Sequence, residues 1–330
     1  MAFNEVLGQE LAVTVLQNGL QQDRLHHAYL FAGESGVGKE KVAFEFAKAI
    51  NCEQKKADAC DQCISCQKSD SGNHPDLKQI KPDGSYLKID QIRELRQEIL
   101  YKPYESKRKV YIIYQVDRMT TEAANSLLKT LEAPPPHGVL ILLTDNLNQL
   151  LPTVISRCEL VRFKRVPDKL IEERLAADYQ LSAEERQLIT SLAFGKVKSA
   201  VQLVEEEAGL SWRQEIIDIL LSLDDLNRIK VFKIGQELLE FKDRINEVLD
   251  VFLTWYRDIL LCKLEAVDNL VNAHQADKLK ELAADLSLTQ VEEIIELIAE
   301  TNNQIRHVNV NLQLTLEVML LKLNQLKEEK

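Results

Sequence analysis

No stretch of about 18 uninterrupted apolar residues occurs in the 330-residue sequence, so a bilayer-spanning helix is not expected. The N-terminus, Met1-Ala2-Phe3-Asn4-Glu5, has no basic segment followed by an apolar one. That excludes the pattern of a secretory signal and places the expected site of action in the cytosol. An excess of basic residues is missing too. The net charge of −11 argues against phosphate-driven binding to duplex DNA by the chain alone, so any DNA contact is expected to depend on partners. With 45% apolar and 28% charged residues, the composition suits two or three globular domains.

One absence falls inside a motif. Gly33-Glu34-Ser35-Gly36-Val37-Gly38-Lys39-Glu40 satisfies the phosphate-binding pattern G-x-x-x-x-G-K-[ST] everywhere except its last residue. In a working loop the glycines let backbone N–H groups wrap the phosphates, the lysine neutralises the β/γ charge, and the final hydroxyl coordinates Mg²⁺. Here Glu40 replaces the hydroxyl and adds negative charge beside the triphosphate position. Gly33, Gly36, Gly38, Lys39 and Glu40 are therefore candidate residues of a degenerate nucleotide site, and whether nucleotide binds is left open. The flanks have the required order. Ala28-Tyr29-Leu30-Phe31-Ala32 reads as a buried strand, and Val42, Phe46 and Ile50 recur at helical spacing.

A second absence lies downstream. The chain alternates strands and helices as an α/β fold with a parallel sheet does: a strand at Asp76 to Ile80, a helical face of Ile92, Leu95 and Ile99, and β-prone runs at Val110 to Tyr114 and Val139 to Leu143. A helix is expected over Thr121 to Glu132 with Leu127, Leu128 and Leu131 toward the core, stopped by Pro134-Pro135-Pro136. A further short strand is expected from Leu160 to Phe163. At the end of the Val110 strand, where a P-loop ATPase carries acidic residues, stand Tyr114 and Gln115. The nearest carboxylate, Asp117, is read as a helix-capping or surface residue. With hydroxyl and carboxylates both missing, intrinsic hydrolysis is not expected.

Cysteine is concentrated. Cys52, Cys60, Cys63 and Cys66 fall within fifteen residues, while Cys158 and Cys262 stand apart. The C-x7-C-x2-C-x2-C spacing suits tetrahedral Zn²⁺ held by four thiolates, a closed structural site, with Lys55, Lys56 and Lys68 offsetting its charge. His74 is not needed as a ligand. Cys158 and Cys262 read as small buried apolar residues.

The second half is helical. Val166-Pro167-Asp168 forms a hinge before Leu170, Ile171 and Leu175; Ser211 is a candidate cap beside Trp212; Val248, Phe252, Trp255 and Ile259 make an apolar stripe. Glu205-Glu206-Glu207 reads as a solvated acidic patch. Val308, Val310, Leu312, Leu314 and Leu316 alternate like a strand, whereas Leu312, Leu316, Met319, Leu323 and Leu326 suit a helix. Helix is preferred for the final segment because its surroundings are helical.

Leu7-Gly8-Gln9, His27-Ala28-Tyr29-Leu30-Phe31, the degenerate loop, the four cysteines, Asn125-Ser126-Leu127-Leu128-Lys129-Thr130-Leu131-Glu132-Ala133-Pro134-Pro135 and Ser156-Arg157-Cys158 occur in that order. On these segments, which cover about the first half, the chain resembles the AAA+ clamp-loader family of bacterial DNA polymerase III, in its delta-prime branch. The resemblance implies an α/β P-loop AAA+ domain at 1–165 with a zinc-binding insertion at about 52–72, a small helical lid domain at 166–208 and an all-helical collar domain at 209–330. It implies a non-hydrolysing part of a bacterial cytoplasmic replication assembly, with gamma/tau-type ATPase subunits and a delta subunit as partners, reaching the sliding clamp and primed DNA through the complex, with no membrane partner. In that family the Ser-Arg-Cys arginine points into a neighbouring subunit's ATP site, which maps onto Arg157, flanked by Ser156 and Cys158. Thr144 takes the place of the γ-phosphate sensor and Lys198 that of a second-domain sensor arginine. A lysine is the poorer planar ligand there. Two other readings are a catalytic clamp-loader ATPase using Glu40 or Asp117, and a zinc-dependent nucleic-acid-binding module.

Overall fold

The five strands follow the apolar runs: β1 Ala28–Ala32, β2 Leu77–Ile80, β3 Lys109–Ile113, β4 Gly138–Thr144 and β5 Glu159–Arg162. They form one parallel sheet in the order β2-β3-β4-β1-β5. β1, β3 and β4 are buried at every residue, as strands with helices on both faces must be. Alternation along each strand sorts the side chains into two layers. Tyr29, Phe31, Ile112 and Ile141 meet Leu16, Val42 and Phe46 on one face. Leu30, Ile113, Leu140 and Leu142 meet Ile92, Leu95, Leu127 and Leu131 on the other.

The computed structural model describes residues 2–54, 57–205, 211–223, 228–267, 270–307 and 310–328. Lys55, Lys56, Glu206, Glu207 and Val308, together with the boundary expected at 208/209, lie outside the described residues.

The chain divides into two compact units, Met1–Val201 and Gln202–Lys330. The first carries α1 Glu10–Gln21, α2 Lys39–Ile50, α3 Ile64–Asp70, α4 Ile89–Glu98, α5 Thr121–Glu132 and α6 Pro152–Ile155 among the strands. α7 Asp168–Asp178, α8 Ala183–Ala193 and α9 Val197–Glu205 follow β5, and the division between the units falls within α9. The starts of two of these helices are set by their own side chains. The Thr120 hydroxyl accepts the Ala123 N–H at the head of α5, and Ser182 and Glu185 form a capping box on α8.

The second unit is helical: α10 Ser211–Ser222, α11 Arg228–Leu239, α12 Ile245–Lys263, α13 Ala276–Asp285, α14 Leu288–His307 and α15 Leu312–Glu328. Val248, Phe252, Trp255 and Ile259 are all fully buried on α12, packed into one core with Ile294, Ile298, Leu316, Met319 and Leu323. The final segment takes the helical option because burying that stripe outweighs the short alternation before it. One buried polar network runs through this core. Asp258 accepts the Val271 N–H (3.2 Å) and both the N–H and the side-chain amide of Asn272 (2.7 Å each), while Arg213 donates to Asn272 (2.6 Å).

Candidate functional site

β1 delivers the chain into the loop 33–38, and α2 begins at Lys39, the strand–loop–helix order that a phosphate cradle requires. Two glycines are demanded by geometry. A Cβ on Gly33 would lie 2.7 Å from the Phe163 carbonyl oxygen, and Gly38 has φ +99°, where side chains are strained. Buried Gln9 donates from Nε2 to the carbonyls of Val37 (3.1 Å) and Lys164 (2.7 Å) and accepts the Lys164 N–H (3.2 Å). That amide ties the loop tip to the segment after β5. The Leu7-Gly8-Gln9 segment thus contributes a site residue that no motif chemistry had assigned.

Segments after β5 also grip the loop. Glu34 accepts from Arg165 Nε (2.8 Å) and Nη2 (3.1 Å) and pairs with Lys196 (3.2 Å); the hydrogen-bonded Arg165 holds the Glu34 carboxyl below its usual range. The Lys198 backbone N–H donates to the Gly36 carbonyl (3.2 Å), while its side chain is exposed. Lys196, not Lys198, is the lysine whose ammonium engages the loop.

Lys39 is 3% exposed. Its ammonium donates to the Glu34 carbonyl (3.0 Å) and forms an ion pair with Asp145, the residue immediately after β4. Asp117 stands behind this pair. Its Oδ1 accepts the Thr144 hydroxyl (2.9 Å) and the Asp145 N–H (3.1 Å), so it is an internal hydrogen-bonding residue and not the cap or surface residue expected from sequence. The backbone reaches that position through Gln115, in the left-handed region at φ +50°, and the short turn Val116–Arg118. Thr144 is fully buried, donating to Asp117 and accepting the Asn146 N–H (3.1 Å). Glu40 is exposed in the first turn of α2. Tyr114, where a carboxylate would stand, donates to Gln79 (2.9 Å), and burial, with a contribution from the Glu40 charge, pushes its phenol up to about 12.

Arg157 sits elsewhere, between α6 and β5. Its Nη1 donates to the Thr153 carbonyl (2.9 Å), and its Nη2 lies 2.9 Å from Glu132 Oε1, with the side chain 35% exposed. Ser156 donates to the same Thr153 carbonyl (3.2 Å). Cys158 packs under the sheet, and burial pushes its thiol up to about 12, which suits an apolar residue and not a nucleophile.

The four cysteines converge, with all four Sγ atoms within 4.8 Å of one another. Cys60 and Cys66 Sγ are 3.9 Å apart, close to the roughly 3.8 Å that tetrahedral geometry with Zn–S bonds of about 2.3 Å requires. Cys60 Sγ accepts the Cys63 N–H (3.3 Å) and Cys63 Sγ the Cys66 N–H (3.5 Å), so backbone donors orient the sulfurs toward one point. This donor set fits a structural metal. Lys48 docks the module on α2, bridging Glu45 (3.0 Å), Asp61 (2.8 Å) and Asp70 (2.9 Å). Against the opposing effect of burial, the three carboxylates raise the Lys48 ammonium above its usual range, so it stays charged. His74 is outside the cluster. Its Nδ1 accepts the Asp76 N–H (3.1 Å), and its Nε2 faces the hydroxyls of Ser65 (3.1 Å) and Ser106 (3.2 Å).

Among the described residues no helix is long and apolar enough to cross a membrane. Residues 8–167 match the family described as DNA polymerase III, delta subunit, and residues 208–325 the one described as DNA polymerase III, delta subunit, C terminal. The chain is 33% identical to the DNA polymerase III subunit delta' of Bacillus subtilis over 320 residues, covering 96% of each. It is 30% identical to the subunit tau of the same organism, across 93% of this chain and 59% of that one. With subunit tau of Escherichia coli it shares 35% identity over 68% of this chain and 36% of that one. With the Bacillus subtilis delta' subunit matched over 96% of both chains, an α/β P-loop domain bearing a four-cysteine insertion, and a helical second unit, the chain belongs to the delta' family of DNA polymerase III clamp-loader subunits.

Proposed function

We propose that the chain is a non-hydrolysing delta-prime subunit that acts in the cytoplasm. It assembles with gamma/tau-type ATPase subunits and a delta subunit to place the sliding clamp on primed DNA. The observation that carries this reading is the fate of Lys39. The ammonium that would meet the β/γ phosphates is neutralised inside the chain by Asp145, and Tyr114 and Gln115 stand where the metal-binding and water-activating carboxylates would be needed. With Glu40 in place of the loop hydroxyl and no carboxylate at Tyr114 or Gln115, the loop lacks the usual Mg²⁺ ligand and the usual water-activating acid, and hydrolysis of its own nucleotide is not expected.

The contribution to catalysis is then made in trans. Arg157 carries a fixed planar charge on a partly exposed turn, and an arginine inserted beside a neighbour's γ-phosphate stabilises charge in the phosphoryl-transfer transition state. The rest of the chain serves to aim it. An α/β domain (1–165) keeps the P-loop architecture, a zinc-pinned insertion stiffens the face beyond α2, a helical lid (166–208) grips the loop through Lys196 and Lys198, and a helical collar (209–330) joins the assembly.

Reconstitution tests this. A mixture of ATPase and delta subunits should load the clamp onto primed DNA only when this chain is added, and the isolated chain should turn over no ATP. Turnover by the isolated chain would make it a motor subunit, and loading that proceeds without it would remove it from the complex.

A further inference from the structure

We propose that Asp145 is a built-in anion occupying the phosphate seat of the P-loop, and that the seat accepts polyphosphate again once this carboxylate is neutralised. The inference deepens the reading of the loop as a silent cradle and rests on it.

The cradle itself is intact. Gly38 keeps its left-handed turn, Gln9 pins the loop at Val37, and Arg165 and Lys196 fix Glu34 outside it. Lys39 is buried and its ammonium points at an acid, as it would at a phosphate. The acid is delivered by a rigid support. β4 pairs with β1 so that Thr144 lies opposite Ala32, which sets Asp145 beside the start of the loop. Asp117 then holds the Asp145 N–H while its Oδ1 also takes the Thr144 hydroxyl. The Asp145 side chain is 31% exposed and that of Lys39 only 4%, so the carboxylate is the solvent-facing partner, the one an incoming anion must displace to reach the ammonium.

Two effects then act against a polyphosphate. It must displace Asp145 from Lys39, and it meets the displaced charge at close range. An internal pair formed in about nine molecules of ten lowers the apparent affinity about tenfold before any repulsion is counted. Asp117 is a positioning residue here, acting through Asp145. Hydrolysis does not return on neutralisation, because Tyr114 and Gln115 still supply no carboxylate.

The test is calorimetric titration of the full chain with inorganic tripolyphosphate and, separately, with ATP, both with Mg²⁺. Wild type is compared with Asp145→Asn and Asp145→Ser, and with each combined with Lys39→Ala. Both single variants should bind tripolyphosphate at least about tenfold tighter than wild type, with the gain lost on adding Lys39→Ala. Equal gains for the two ligands assign the seat to the anion alone, and a larger gain for ATP adds a nucleoside contact; either supports the proposal. It is overturned if a variant that keeps the wild-type melting temperature binds no tighter, if the gain survives Lys39→Ala, or if wild type already binds as tightly as the variants. Two different substitutions guard against one that fails to fold. Because the isolated chain is titrated, failure here leaves the trans role of Arg157 standing, and failure of that role leaves this result intact.

Discussion

Glu132 Oε1 lies 2.9 Å from Arg157 Nη2, so the last residue of α5 holds the guanidinium that the proposed function needs at a neighbour's active site. A second anchor, the Thr153 carbonyl, comes from α6. Both partners of the ion pair are partly exposed, and such pairs contribute about 0–1 kcal/mol. The tether is therefore weak enough to be exchanged for a phosphate. Glu132→Gln should change the unfolding free energy by less than about 1 kcal/mol in urea titration. A loss well above that would mean Arg157 is a structural residue and not one stored for a partner.

The cysteine cluster leads to a metal prediction. One zinc per chain is expected by elemental analysis, since four convergent thiolates complete a tetrahedral shell. Cys63→Ala removes one ligand together with the acceptor that caps α3, so metal should be lost on dialysis and cleavage within residues 52–66 by a protease should quicken. Full retention of metal in that variant would show that Cys63 is not a ligand.

Burial lowers the His74 imidazole below its ordinary value of 6.5, against the raising influence of Glu105 (3.9 Å away) and Asp76; Lys68 adds to the lowering. The sign of the pH effect follows. With a depressed folded-state value, the unfolded chain takes up the proton first, so the stability that neutral His74 lends is present above about pH 6.5 and is lost as pH falls toward the folded-state value. The loss should approach about 1.4 kcal/mol per pH unit over that window. Urea midpoints between pH 7.5 and 5.5 should fall more steeply for wild type than for His74→Gln; parallel curves would contradict the assignment.

Much of this was legible in the residues, and what was not shares one physical cause. β3 and β4 were visible as uninterrupted apolar runs. α5 was bounded correctly because Leu127 and Leu131 mark its face and Pro134 cannot continue it. The metal cluster was visible because its ligands are local, so spacing alone restricts their geometry. Asp145 was not, since its partner Lys39 is 106 residues away and the two meet only through the parallel register of β1 and β4. Gln9, acting on Lys164 at a separation of 155 residues, was hidden for the same reason. Asp117 was misread because its position depends on the left-handed backbone at Gln115, which no residue type there announces.

The central claim is that this chain catalyses only through another, and one comparison tests it most directly. ATP turnover should be measured in the complete complex with clamp and primed DNA, with this chain carrying either Arg157 or Arg157→Ala, after confirming equal assembly. A trans arginine contributes on the order of 10³–10⁵ in rate at the site it serves. The variant should therefore lose the DNA-stimulated turnover of that one neighbouring site while assembly is kept. Unchanged turnover in a correctly assembled variant complex would contradict the account.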